Sequence, residues 1–373
     1  MAAQAGGGER MIGRTLSTYI ATHYLKTVVA MLLSLLVFIV IVDFVEQLRK
    51  AAERPEIPAY ALLQLSALKA PIFMDKAFPF ACLFAAMITL TQLNQKLELV
   101  VARAAGVSAW QFLLPVSAAS IAIGLFAAFV YNPVAISSAS MGKTLETQLF
   151  DKDDRSLQAE VSGYWLRQDD EEGSSVINAR IARDNGQLLD DVRVLRFDGN
   201  GDLYQRIDAK AARYNGDSWQ LEQASVVGRD ARPVLFESYE IDTSLTADTL
   251  AGVTARPDET AFWNLRSVAR LAQQSGSNPD PYFVQFHSLL SLPFFMVAMV
   301  VIAATVSLRF VRFGQIGRMI LGGILAGFVL YTATKLVISL GNNGIVPPVV
   351  AAWAPCVVAI MFGMSILLHQ EDG

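Results

Sequence analysis

Six long apolar runs punctuate the chain, three before and three after a polar middle. Residues 28–45 are almost wholly apolar, with Asp43 interrupting near the end, and runs at about 70–90, 110–131, 283–306, 320–340 and 349–368 follow. Each is close to the about twenty residues that an α-helix needs to cross the hydrocarbon core of a bilayer. The pattern predicts a polytopic α-helical membrane protein: three transmembrane helices in 28–132, an inserted domain, and three more in 283–369. The first run is followed by Glu46, Arg49 and Lys50 rather than by the small residues of a cleavage site, so it reads as a span and not as a signal peptide. Ahead of it, residues 1–27 form a Gly-rich tail and a stretch in which Arg10, Arg14 and Lys26 alternate with Ile12, Leu16, Tyr19, Ile20 and Leu25. That spacing predicts an amphipathic helix lying on the membrane surface.

The middle of the chain changes period. From Pro133 to about residue 258 the text is that of a β domain. Asn185-Gly186, Asn200-Gly201 and Asn215-Gly216 recur at a constant spacing of fifteen, and each pair is a strong hairpin signal. Between them lie β-branched or alternating stretches such as Val192 to Phe197, Trp219 to Glu222 and Val234 to Glu237. A single antiparallel sandwich or an open roll fits this pattern. In the connecting segment 259–282, Phe262, Leu265, Val268, Ala269 and Ala272 are spaced as on one helix face over 260–275, and a linker with Pro279 and Pro281 follows.

Charge divides along the same lines. Residues 133–282 carry 25 acidic and 16 basic residues, whereas the rest of the chain carries 9 acidic and 14 basic. An acidic polar domain is thus set into a basic, membrane-embedded frame. The short loop 307–318 has Arg309, Arg312 and Arg318 with no acid, while the loop 341–344 has no charge. By the positive-inside rule the former faces the cytoplasm. Six spans then put both termini and the segment at about 92–109 in the cytoplasm, and the β domain outside. Cys82 and Cys356, the two cysteines, each sit in an apolar run and read as packing residues.

Catalytic signatures are weak. Gly142-Lys143-Thr144 ends like a phosphate-binding loop, but Ser137 stands where the first glycine is required. His23, His287 and His369 are too scattered for a metal site or a nucleophilic triad. The expectation is therefore a chain that is not an enzyme and that binds no cofactor, metal or nucleic acid of its own. Charged residues in or beside spans are better candidates, because burying them in hydrocarbon is costly unless a partner offsets it. Arg49, Lys50 and Arg54 form a basic cluster beyond the first span, which is either a solvated loop or a site for an anionic headgroup. Asp75 and Lys76 are adjacent near the outer end of the second span, where snorkelling and ligand binding account for them equally well. Lys335 lies deeper in its span, and snorkelling explains it less well. Gly323 and Gly327 mark a close helix contact, either within the chain or with a partner span. Between the second and third spans, Leu97, Val100, Val101 and Ala104 share one face of a short predicted helix and Glu98 lies on another.

Phe44 to Lys50 after the first span, Glu98-Leu99-Val100-Val101 with Ala105-Gly106 in the loop, and the three-domain-three plan resemble the LptF/LptG permeases of the lipopolysaccharide export machinery. The resemblance runs from about residue 10 to the C-terminus, and the first motif is closer to LptG than to LptF. It implies an inner-membrane subunit of an ABC transporter that pairs with an LptF-like permease. It further implies a cytoplasmic LptB-like ATPase dimer, which uses ATP and magnesium, and delivery of lipopolysaccharide through a periplasmic β-jellyroll to an LptC-like protein. The segment at 92–109 would be the coupling helix, with Glu98 contacting the ATPase, Leu97 and Val101 seated on it and Arg103 offering a second contact. Arg49 and Lys50 match the family's basic cluster for lipid A phosphates, and Arg54, Lys76 and Lys335 join the candidate substrate-binding set. The sequence departs from the family at Asp43, where a lysine is expected. An acid there repels phosphate, and Lys335 is the candidate for the missing cation. The alternative from another class is a membrane-anchored scaffold or sensor whose β domain binds a partner.

Overall fold

In the computed structural model, the residues described are 5–52, 56–104, 108–150, 161–170, 173–199, 201–228, 232–243, 245–247, 250, 256–274, 278–308 and 316–372. The chain divides into two compact units, one formed by Met1–Leu149, Ala261–Trp263 and Val284–Gly373, the other by Phe150–Thr260 and Asn264–Phe283.

The first unit is helical. The predicted surface helix and first span are one uninterrupted helix, α1 (Ala5–Lys50), rather than two elements meeting near residue 27. No proline and no late glycine falls between Thr15 and Lys50, so nothing breaks the hydrogen-bond ladder where the amphipathic pattern gives way to the apolar one. The second predicted span, at about 70–90, is broken. It consists of α2 (Ala59–Asp75) and α3 (Phe78–Gln95), bent by 68° at Lys76-Ala77. Pro79 occupies the first turn of α3, a position that needs no amide donor and favours a fresh helix start. A short helix, α4 (Glu98–Ala104), stands in place of the longer one expected over about 92–109. Next come α5 (Ala109–Phe126), a π-helical turn over Ala127–Tyr131 and α6 (Asn132–Phe150). Asn132-Pro133 therefore does not end the third helix, and residues 133–150, expected in the β domain, continue α6, while the first strand among the described residues starts at Val161. The π turn is the reason, since it lets the chain carry a proline without losing helical direction.

Three more long helices complete this unit: α8 (Asp280–Ser307), α9 (Ile316–Asn342) and α10 (Pro348–Asp372), numbered after α7 (Leu265–Gln274) of the second unit. Among the described residues, five helices are each long and apolar enough to cross a membrane, and the bent pair α2–α3, taken together, passes the same test as a broken span or a re-entrant loop. The core gathers Tyr24 and Val28 of α1, Phe78, Cys82, Leu83 and Met87 of α3, Phe112 and Val116 of α5, and Phe295, Met296 and Met299 of α8. Burial is uneven. Two-thirds (67%) of the apolar stretch of α8 is buried, against 6% in α1 and 11% in α9. Gly323 and Gly327 settle their open question inside the chain. A Cβ on them would lie 2.5 Å from Met87 and from Leu83 respectively, so they bring α9 close to α3. Both cysteines are free and buried, as their apolar runs predict.

The second unit is a six-stranded antiparallel sheet in sequence order, β1 (Val161–Asp170), β2 (Gly173–Arg183), β3 (Leu188–Asp198), β4 (Leu203–Tyr214), β5 (Ser218–Val227) and β6 (Pro233–Asp242). Turns fall where the Asn-Gly pairs predict them, and Gly186 and Gly216 have φ of +84° and +109°, values that glycine adopts without steric cost. Asn200 lies outside the described residues. One face of the sheet is buried by Leu166, Ile177, Ala179, Val192, Val194, Ile207, Trp219, Leu221 and Ile241. Gln168 of β1 donates to the Asp242 carbonyl at 3.1 Å and accepts from the Thr243 hydroxyl at 2.5 Å, although β1 and β6 are opposite ends of the strand order. Of the two sheet arrangements left open by the sequence, this is the roll, drawn together at one end. The helix expected over 260–275 starts later, as α7 (Leu265–Gln274), after 3-10 turns at Pro257–Glu259 and Phe262–Asn264. Leu265, Ala269 and Ala272 bury one face of α7 at helical spacing.

Candidate functional site

The segment between α3 and α5 presents two apolar faces, where the sequence shows one. After Gln95 the chain passes through Leu97, whose φ of +60° is in the left-handed region and redirects it into α4. The Leu97 carbonyl then accepts from the Val101 amide at 2.9 Å, which starts the helix. Leu99 is 4% exposed and belongs to the helical core. Leu97 is 60% exposed and Val101 68%, and Ala104 is exposed beside them. A buried anchor thus holds two large apolar side chains out toward solvent. Glu98 opens the helix and is partly exposed, in the first turn where a carboxylate suits the helix dipole. Arg103 lies within α4, and its side chain is outside the described residues, as is that of Val100. Leu99 is the residue that the periodicity argument missed, because it lies between positions assigned to the outward face.

At the far end of α1 the Arg49 guanidinium pairs with Glu46 at 2.8 Å on an exposed turn. Exposed pairs of this kind contribute little to stability, so Arg49 can exchange that partner for another anion. Lys50 is exposed beside it, and Arg54 lies outside the described residues. Asp43 is within reach of Gln47, whose amide donates to it at 3.5 Å.

The break between α2 and α3 gathers a third set of groups. Asn132 is buried and reaches two ways. Its amide donates to the Asp75 carboxylate at 3.3 Å, and its side-chain oxygen accepts the Phe262 backbone amide at 3.3 Å. Tyr131 donates its hydroxyl to the Pro71 carbonyl at 3.1 Å and meets the Phe78 ring edge-on, with centroids 4.9 Å apart. Lys76 caps α2 and is exposed. From α9, Lys335 sits 5.5 Å above the Tyr331 ring, and Tyr331 in turn packs on Phe80 in the first turn of α3 with centroids 5.1 Å apart. Lys76 follows Asp75 directly in the chain, and Lys335 is tied to the start of α3 through Tyr331 and Phe80, a connection across about 250 residues that sequence spacing does not reveal. Asn132 was missed because an Asn-Pro pair reads as a helix stop.

Among the described residues no group of three or more potential ligands could hold a metal ion. Five long apolar helices and the bent pair α2–α3, with a six-stranded antiparallel sheet inserted in the chain between them, define a polytopic membrane protein. Residues 18–369 match the lipopolysaccharide export system permease LptF/LptG, and the chain belongs to that family. It is 25% identical to the lipopolysaccharide export system permease protein LptG of Haemophilus influenzae, over 96% of this chain and 99% of that one. It is 23% identical to the protein of the same name from Escherichia coli K12, over 97% of this chain and 98% of that one.

Proposed function

We propose that this chain is the LptG-like permease subunit of an ABC transporter that takes lipopolysaccharide from the inner membrane toward the outer membrane. Membership of the family over residues 18–369 supports the reading. The observation that carries it is α4, a helix anchored by Leu99 that offers Leu97 and Val101 outward in a chain with no phosphate-cradling sequence of its own. Such a chain needs a separate motor and a surface on which to receive its force.

In this reading the termini and α4 face the cytoplasm and the β-sheet unit faces the periplasm. Leu97 and Val101 seat in a groove of an LptB-like ATPase, Glu98 meets a cation there, and Arg103 makes a second contact. ATP and magnesium belong to that partner. The sparsely buried helices α1 and α9 pair with those of an LptF-like subunit and form the walls between which the lipid leaves the bilayer. Arg49, Lys50, Arg54, Lys76 and Lys335 receive its phosphates, which reward clustered cations. The β-sheet unit passes the lipid to an LptC-like protein.

The test is to purify the chain from its native membrane and identify what accompanies it. A second six-span protein and a cytoplasmic ATPase are expected, and Glu98→Ala is expected to separate ATP hydrolysis from lipopolysaccharide release. Purification without either companion overturns the reading.

A further inference from the structure

Helix α1 is fastened near its beginning and shows a bare face along the rest of its length. Ile20, Tyr24 and Val28 recur at every fourth position, are buried, and share one core with Leu99 of α4 and with Phe112 and Val116 of α5. Two polar ties fix the same turn. The Tyr24 hydroxyl lies 2.7 Å from the Ser120 Oγ of α5. Ser120 gives its own proton to the Val116 carbonyl at 2.9 Å, so Tyr24 is the donor. One residue earlier, His23 Nε2 donates to the Gln92 side-chain oxygen of α3 at 2.8 Å. The Gln92 carbonyl accepts the Lys96 amide that closes α3, just before Leu97 and α4. Beyond Val28 the stripe Val29, Leu33, Val37, Ile41 and Val45 is exposed. Neither proline nor glycine interrupts α1 between Thr15 and Lys50, so it has no hinge. Arg49 and Lys50 close it roughly 38 Å from Tyr24, at 1.5 Å per residue.

We propose that Tyr24, with the His23–Gln92 pair as a second tie, is a positioning residue of the export cycle. It clamps the base of α1 to the support of α4, so that a shift of α4 on its motor is carried along α1 to the cations at the other end. The proposal rests on the export reading. Leu99 seats α4 in the core that holds Tyr24, and movement of α4 therefore presses on the base of α1. Apolar packing alone lets one helix turn against another. A buried hydroxyl with a single fixed acceptor does not, because rotation of α1 about its axis would pull Tyr24 off Ser120 and leave a polar group without its partner. The tie thus fixes which way the exposed stripe and the terminal cations face.

The test uses the full chain purified with its companions in nanodiscs, and follows ATP hydrolysis and lipopolysaccharide released per ATP hydrolysed. Tyr24→Phe keeps the ring in the core and removes only the hydroxyl. The yield of the ATPase and its hydrolysis rate are expected to persist, while release per ATP falls about threefold to tenfold, the range that loss of one neutral hydrogen bond covers. Ser120→Ala removes the acceptor of the same bond, so the double variant should lose no more than the larger single loss. Gln92 is exposed, and Gln92→Ala removes the second tie without a buried change; a loss in the same direction is expected. Release per ATP does not depend on how many complexes are folded, so a role in stability alone would lower both rates together and leave the ratio unchanged. A ratio unchanged in either Tyr24→Phe or Gln92→Ala, or losses that add in Tyr24→Phe/Ser120→Ala, overturns the proposal. If the wild-type complex carries no ATPase or releases no lipopolysaccharide, the export reading falls first.

Discussion

The Trp263 indole N–H donates to the Phe129 carbonyl at 3.3 Å, and Phe129 is the residue whose carbonyl Pro133, four positions on, has no amide to reach. A proline inside a helix leaves such a carbonyl unpaired and presses its ring against it. Here the π turn at Ala127–Tyr131 widens the helix at that point, and Trp263 supplies the missing donor. Trp263→Phe keeps the ring contact with Phe129 but removes the donor. It is expected to lower stability by about 0.5–1.5 kcal/mol, read as a lower melting temperature of the purified chain. Pro133→Ala restores an amide at that position, so the combined variant should lose less than Trp263→Phe alone.

Helix packing gives a sharper contrast. A Cβ on Gly124 of α5 would collide with the Pro293 backbone of α8, whereas a Cβ on Gly322 of α9 would meet nothing within 4 Å. Backbone cannot swing aside as a side chain can, so Gly124→Ala must push two helices apart. The expected cost is about 1–3 kcal/mol, typical of overpacking, and Gly322→Ala should be silent. Thermal melts of the two variants in one detergent check the difference.

These two helix contacts also show how far the sequence could be read. Apolar runs located five spans and the bent pair α2–α3, because hydrocarbon demands about twenty apolar residues per crossing whatever the neighbours are. Asn-Gly pairs located the hairpins, because Gly186 and Gly216 need their positive φ regardless of tertiary context. The break at Lys76-Ala77 was hidden, since α2 and α3 are both apolar and hydropathy is blind to direction. The extension of α6 to Phe150 was hidden too. The device that carries Pro133 is a tryptophan 130 residues away, and no local pattern announces it. The candidate residues were legible as charges near spans. That Lys335 is tied through Tyr331 to Phe80 at the start of α3 was not, because only the packing of α9 on α3 brings those rings together.

The two faces of α4 make separable predictions. Leu97→Asp and Val101→Asp place charge on side chains that are already exposed, and the helical core should keep its stability within about 0.5 kcal/mol. Co-purification of the proposed partner ATPase should fall at least tenfold if these residues seat in its groove. Leu99→Asp buries a charge in the core and should destabilise the whole helical unit. Measuring melting temperature and companion yield for all three separates docking from folding. An ATPase yield unchanged in Leu97→Asp/Val101→Asp would remove this face from the interface.

The roll of the β-sheet unit hangs on Gln168. Its amide and oxygen bind the Asp242 carbonyl and the Thr243 hydroxyl from the opposite end of the strand order, and the side chain is buried. Gln168→Ala removes both bonds. A hydrogen bond contributes about 0.5–1.5 kcal/mol net, so the closure loses roughly 1–3 kcal/mol. The loss should also be local, because β3 and β4 are paired on both sides and do not depend on the closure. Amide hydrogen exchange in the purified full chain is expected to accelerate in β1 and β6 by about tenfold or more, the change that 1.4 kcal/mol of local opening produces, while the centre of the sheet stays protected. Gln168→Glu keeps the oxygen for Thr243 but loses the donor to Asp242 and adds a buried charge, so it should open the same strands at least as far. Uniform acceleration across all six strands would mean that the sheet opens as one piece and that Gln168 serves general stability, not closure.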